Sequence, residues 1–192
     1  DLENDPDEVV ARLLSCYTGI TYNRLLRAHS RFTEDEKSKM AEAQKILGER
    51  AMVKFMHEYA QTIEELVAYV ERKKHQFDFD VLIIDYAQLL KTSRSYDSKY
   101  IEHGEIYRLL SLMAVRCNVA VITVAQGNRQ AQVRNKKAQK KDSLMTMTDI
   151  ADSFEAVRKS AIVITVTRSE KHMADDEIIF LLDKQRQGKT AK

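Results

Sequence analysis

Val81-Leu82-Ile83-Ile84-Asp85-Tyr86-Ala87-Gln88-Leu89-Leu90 is the stretch on which the fold turns. Four consecutive β-branched and aliphatic residues read as a strand buried on both faces. The run stops abruptly at a carboxylate, Asp85. Val119 to Val124 repeats the pattern as a second buried strand, and Ala125 leads on to Gln126. Between the two, Ile106, Leu109, Leu110, Met113 and Cys117 recur at helical spacing. Strand, helix, strand is the unit that places two strands side by side and parallel, because a parallel pair needs a long crossover connection.

The same logic extends outward. Asp5-Pro6 opens a helix with a capping side chain and a proline in the first turn. Val9, Val10, Leu13, Leu14 and Tyr17 give it an apolar face, and Gly19 ends it. Thr21 to Ala28 predicts another turn or two of helix. Thr33-Glu34-Asp35-Glu36 and Thr62-Ile63-Glu64-Glu65 are capping boxes. They open helices running to Leu47, before Gly48, and to about Lys74. Ala51 to Met56 reads as a short strand and Asp149 to Lys159 as a short helix. Ala161 to Val166 and Ile178 to Leu182 read as a third and a fourth strand, with a polar hairpin turn over Ser169 to Asp176. The expected class is α/β: a mainly parallel sheet flanked by helices, with an antiparallel edge hairpin.

Composition narrows the function classes. The 192 residues are 44% hydrophobic and 31% charged, an ordinary globular balance. Five glycines, one proline and no tryptophan exclude collagen-like and turn-dense all-β architectures. No apolar run approaches the ~20 residues that cross a bilayer, and no membrane partner is expected. No signal peptide is expected from the acidic stretch Asp1 to Asp5. The net charge of +2 says little about partners. Cys16 and Cys117 stand far apart and read as buried free thiols in a reducing compartment. The five histidines show no metal-ligand spacing, so no structural zinc site is expected.

Two strands that end in polar residues are chemically suggestive. In open α/β sheets ligands bind beyond the carboxyl ends of the strands. Aliphatics followed by Asp form the Walker B pattern, whose carboxylate holds Mg²⁺ directly or through water. By itself the pattern fits an ordinary strand ending in a helix-capping Asp equally well. A strand-end glutamine such as Gln126 can sense a γ-phosphate or position a water. Beyond it, residues 127–141 hold Arg129, Arg134, Lys136, Lys137, Lys140 and Lys141 and no acidic residue. Such a run is either a solvated face or a loop following a phosphate backbone, without the aromatics that stack bases. Arg94 and Lys99, just after the first buried strand, are a second candidate contact. A phosphate-binding loop of the form G-x-x-x-x-G-K-[ST] occurs nowhere in the 192 residues. Gly188-Lys189-Thr190 is a decoy: Asp183 holds the first-glycine position, and too few residues follow to form a helix.

Five segments in order resemble the DnaB-type replicative DNA helicases. Leu2-Glu3 resembles the L-E of their S-L-E-M segment. Asp85-Tyr86-Ala87-Gln88-Leu89 resembles D-Y-L-Q-L, and Val124-Ala125-Gln126-Gly127-Asn128-Arg129 resembles S-Q-L-N-R. Thr148-Asp149-Ile150-Ala151-Asp152-Ser153 resembles S-D-L-R-E-S, and Lys184-Gln185-Arg186-Gln187-Gly188 resembles K-x-R-x-G. The resemblance covers the whole chain and implies a RecA-like ATPase core. Residues 1–192 are then one such domain, beginning after its phosphate-binding loop and without the family's N-terminal domain.

The resemblance also implies roles. Glu3 matches the carboxylate that activates the attacking water, and Asp85 the Mg²⁺-associated aspartate. Gln126 matches the glutamine coupling phosphate state to DNA loops. Lys184 and Arg186 match a basic pair that reaches the γ-phosphate of a neighbouring subunit; two apart on an extended segment, they point to one side. Glu3, Lys184 and Arg186, near the chain ends, read alone as solvated charge. The implied ligands are ATP and Mg²⁺. The implied partners are single-stranded DNA, five further copies in a hexamer, primase and a helicase loader. The implied setting is the cytoplasm of a bacterial or phage-infected cell, with 5′-to-3′ translocation. Ala151, Asp152 and Phe154 depart from the family's Arg, Glu and Gly. This leaves DNA contacts at 150–154 open and marks a divergent member, such as a phage or plasmid encodes. Two other classes compete: a non-catalytic RecA-like DNA-binding or loading module, and a recombinase or clock-type ATPase. The 192-residue chain alone is expected to hydrolyse ATP hardly at all. Sequencing the coding region upstream of Asp1 should reveal G-x-x-x-x-G-K-[ST] within roughly 30 residues, one strand–helix unit; finding none would favour the non-catalytic module.

Overall fold

The computed structural model describes residues 5–27, 31–50, 62–125, 154–168 and 170–186. Helix α1, Pro6–Thr18, starts where Asp5 accepts a hydrogen bond from the Asp7 N–H. It ends where Gly19 takes a left-handed φ of 72°, its N–H bonded to the Ser15 carbonyl. Helix α2, Tyr22–Leu26, and helix α3, Glu34–Lys45, pack beside it. Both capping boxes form as expected. Thr33 and Glu36 exchange hydrogen bonds at the start of α3, and Thr62 and Glu65 do so at the start of helix α4, Ile63–Gln76. Gly48 does not end α3. A π-helical turn, Ile46–Arg50, carries the chain past it.

The centre is the expected strand–helix–strand unit. Strand β1, Val81–Ile84, runs parallel to strand β2, Ala120–Thr123, in the register Val81↔Ala120 to Ile84↔Thr123. Helix α5, Lys99–Cys117, connects them. It ends at Asn118, whose left-handed backbone stops the helix just before β2. The core joins Ile63, Leu66 and Val70 of α4, Leu82 and Ile84 of β1, and Ile106, Leu110 and Met113 of α5. Helix α6, Phe154–Lys159, adds Ala156.

Burial of β1 on both faces is corrected by the structure. Leu82 and Ile84 are 4% and 5% exposed, but Val81 and Ile83 are 48% and 67% exposed. Side chains alternate across a strand, and among the described residues α4 and α5 pack on one face only. Ile122 and Val124 share that openness at β2. A continuous aliphatic run cannot reveal which of its residues will be covered.

Strand β3, Ile162–Thr167, pairs antiparallel with strand β4, Ile179–Gln185, as the expected hairpin. Its connection is more than a turn: helix α7, Glu170–Ala174, sits inside it. Strand β4 also runs three residues past Leu182, so Lys184 lies within the strand. The expected strand at 51–56, the segment 148–153 and the whole of the basic loop, 127–141, lie outside the described residues. Of the cysteines, Cys117 is buried as expected, and burial pushes its thiol pKa up. Cys16 is exposed, contrary to expectation. One turn of helix separates it from the exposed Arg12, so it shares that side of α1 rather than the side of the buried Ala11.

Helices α2 and α3 are tied by charge. Arg24 donates to both carboxylate oxygens of Glu36, at 2.6 and 2.8 Å. This bond, with the Thr33 N–H, lowers the Glu36 pKa to about 2. A depressed carboxylate pKa stabilises the fold above the unfolded value, and that contribution fades as pH falls towards the folded one. The link between α2 and α3 should therefore hold above pH 4.5 and loosen between 4.5 and about 2. A carboxyl NMR titration should place Glu36 near the lower value, and Glu36→Gln should remove this part of the acid sensitivity.

Candidate functional site

The register of β1 and β2 puts their carboxyl ends side by side, Ile84 opposite Thr123. Asp85 follows β1 directly, half-buried, joined by a cis peptide to Tyr86. The chain then makes a single 3₁₀ turn, Ala87–Leu89. Thr123 ties this turn to β2. Its hydroxyl donates to the Ile84 carbonyl at 2.9 Å and accepts from the Ala87 N–H at 3.1 Å. Gln126, soon after Thr123 in the chain, lies outside the described residues, as does Glu3.

The connection from β1 to α5 is held at several points. Glu102 accepts from both the N–H and the hydroxyl of Thr92, each at 3.1 Å. Glu64 of α4 accepts from the Ser93 N–H at 3.1 Å. Ser98 caps α5 by accepting from the Ile101 N–H. Arg94 and Lys99 sit in this braced segment with exposed side chains. The other basic candidates, Arg129, Arg134, Lys136, Lys137, Lys140 and Lys141, lie outside the described residues.

Lys184 and Arg186 do point to one side, and there they meet a specific partner. Lys184 Nζ donates to the carbonyls of Val157 at 2.5 Å and Arg158 at 3.2 Å. Arg186 donates to the carbonyls of Arg158 at 3.2 Å and Lys159 at 3.5 Å. Carbonyls of a last helical turn have no partner within the helix, and the helix dipole there also favours cations. The pairing shifts between Val163↔Lys184 and Ile164↔Leu182, so Asp183 bulges out of the ladder. Its carboxylate is hydrogen-bonded by the buried Thr165 hydroxyl.

Helix α6 is held from its other side by α5. The Tyr100 hydroxyl donates to Glu155 at 3.3 Å, and Glu155 also pairs with Arg158 at 2.9 Å. Gly104 lets the two helices approach: a Cβ there would lie 3.3 Å from Glu155 Cγ. One turn further along α5, Arg108 grips Glu105 with two hydrogen bonds of 2.6 Å and holds its carboxyl below the usual range.

The model of the DnaB-like helicase C terminal domain matches residues 1–192, the whole chain. The chain belongs to that family. Similar curated proteins include the replicative DNA helicase DnaB of Mycobacterium intracellulare, 26% identical over 98% of this chain and 32% of that protein. The replicative DNA helicase DnaC of Bacillus subtilis is 30% identical over 66% of this chain and 28% of its own. The chain thus spans about a third of the length of the curated relatives it matches. Among solved structures, an isolated ATPase domain matches with a TM-score of 0.82 at 22% identity, covering 100% of this chain and 67% of that one. A DnaB-like replicative helicase, described with its interactions with primase, matches with a TM-score of 0.80 at 22% identity, over 99% and 45%. These neighbours establish the RecA-like ATPase fold.

In this DnaB-like domain the candidates form two groups, Asp85 on the parallel pair and Lys184 with Arg186 on the antiparallel one. Among the described residues, no three His, Cys, Asp or Glu side chains gather to hold a metal. A lone strand-end carboxylate suits Mg²⁺, which keeps several waters and takes one or two carboxylates plus phosphate oxygens. Thr123, Asp183 and Glu155 carry no motif. Thr123 is signalled only as a hydroxyl ending an aliphatic strand and Asp183 only as a carboxylate beside the basic pair, while Glu155 has no sequence signal. Also among the described residues, no helix is long and apolar enough to cross a membrane. Lys184→Ala should loosen the end of α6 by about 1 kcal/mol, read by urea unfolding and by faster amide exchange over 157–160, whereas Lys184→Arg should retain most of the anchoring.

Proposed function

We propose that this DnaB-like domain is part of the motor of a replicative ring helicase. The motor takes ATP with Mg²⁺, moves along single-stranded DNA in the 5′-to-3′ direction and unwinds the duplex ahead of it. The observation that carries the reading is Asp85 standing at the carboxyl end of β1, in register with the end of β2, in a chain matched over its whole length by the DnaB-like model.

Phosphoryl transfer demands positioning and charge stabilisation rather than covalent chemistry. Nucleotide with its cation would supply the γ-phosphoryl group that passes to water, with ADP as the leaving group, and the neutralising charge. Asp85 orients the cation directly or through water. Glu3 takes the proton of the attacking water. Gln126 reports the state of the phosphate to the loop behind it. Arg94, Lys99 and the basic residues at 129–141 follow the DNA backbone without reading its sequence. Partners of the same reading are a homohexamer, primase and a loader, in the bacterial or phage-infected cytoplasm.

Lys184 and Arg186 serve the site of the neighbouring subunit. Their position on a separate strand pair from Asp85 suits work in trans. The α6 carbonyls and a phosphate are both electron-rich acceptors, so the two compete for the same cations. An arginine supplied across a subunit boundary stabilises developing negative charge without reorganisation.

The test is unwinding of a forked duplex by the full-length protein with ATP. Asp85→Asn keeps the size of the side chain and removes its charge. It should lower ATP hydrolysis by roughly 100-fold or more, the usual cost of losing one preorganised electrostatic group, with unwinding lost in parallel. Full unwinding by Asp85→Asn would overturn the assignment. DNA binding by the parent with no hydrolysis would favour the non-catalytic module.

A further inference from the structure

The turn that carries Asp85 has two backbone anchors, and one side chain holds both. The Ile84 carbonyl accepts from the Thr123 hydroxyl at 2.9 Å, and the oxygen of that hydroxyl accepts from the Ala87 N–H at 3.1 Å. Asp85 and Tyr86 are the two residues between these anchors. Ala87 is fully buried, so its N–H has no ready access to water and needs a partner within the protein. Thr123 is also the last residue of β2, on the strand that leads to Gln126. A carboxylate points where its backbone aims it, and here the backbone is pinned on either side from the neighbouring strand.

We infer that Thr123 is a positioning residue for Asp85: its hydroxyl sets the direction of the carboxylate and ties it to the strand that leads to Gln126. The inference rests on the Mg²⁺-associated role proposed for Asp85. Shape and hydrogen bonding can be separated at this position. Valine has nearly the volume and the β-branched backbone preference of threonine, but it neither donates nor accepts. Serine keeps the hydroxyl and loses the methyl group.

Groups that orient a metal-binding side chain typically change metal affinity by 10- to 100-fold when removed. In the full-length protein, binding of a fluorescent ATP analogue is followed as Mg²⁺ is titrated. Thr123→Val should need about tenfold more Mg²⁺ for half-maximal binding, while Thr123→Ser stays near the parent. Without any nucleotide, the Ala87 amide should exchange faster in Thr123→Val and remain protected in Thr123→Ser. Thr123→Ala must give the same shift and serves as the hydroxyl-free variant if Thr123→Val does not fold. An unchanged Mg²⁺ titration in a folded hydroxyl-free variant overturns the inference and leaves the role of Asp85 standing. Equal defects in the serine and valine variants also overturn it, since packing would then be the cause. If the parent binds the analogue without regard to Mg²⁺, the role of Asp85 fails first and the inference falls with it.

Discussion

Burial of one face of the β1–β2 pair against helices α4 and α5 is the constraint on which the rest of this structure depends. Among the described residues, Ile63, Val70, Ile106 and Met113 are the largest side chains fully removed from water, and all four come from those two helices. They close over Leu82 and Ile84. Burying one such side chain contributes roughly 1.5–3 kcal/mol, so this contact outweighs any of the exposed ion pairs. The consequence reaches the site directly. With β1 and β2 locked in register, Asp85 and the chain leading to Gln126 must emerge at the same edge.

The polar contacts refine what that packing permits. The two hydrogen bonds of the Thr123 hydroxyl, one donated and one accepted, fix a two-residue turn that apolar packing alone leaves free. Glu64 and Glu102 brace the connection into α5 by accepting from backbone and hydroxyl groups. Helix α6 is held at both ends by different chemistry, Glu155 on Tyr100 at one and Lys184 with Arg186 on its last carbonyls at the other. A six-residue helix is too short to be stable alone, so these anchors and its contact with α5 decide where it sits. Any ligand that draws Lys184 and Arg186 away also acts on α6. That physical link joins the basic pair to the chain that follows residues 148–153.

Local rules were legible where a few neighbouring residues settle the matter. Both capping boxes, the Gly19 stop, the helix over Ile106 to Cys117 and the antiparallel hairpin follow from short-range patterns, and all are present; among the described residues the hairpin forms a two-stranded sheet of its own rather than an edge of the parallel pair. Gly48 misled because a glycine permits a helix end without requiring one. The turn over 169–176 concealed a short helix because its polar residues suit either form. Burial of β1 on both faces was a misreading of a different kind. An aliphatic run says that burial is tolerated at every position, while the number of packed layers says where it occurs.

By itself the sequence determined the strand–helix–strand order, the polar residues that end its strands and the family to which the chain belongs. Each depends on spacing along the chain, and spacing is written there. Only the tertiary structure decided that one face of β1 is covered, that Thr123 clamps the turn bearing Asp85, and that Lys184 and Arg186 rest on the end of α6. The hydrogen bonds of Thr123, Lys184 and Arg186 join residues 26 to 39 positions apart. Hydrogen bonds act over about 3 Å, so only folding can bring such groups within reach of one another.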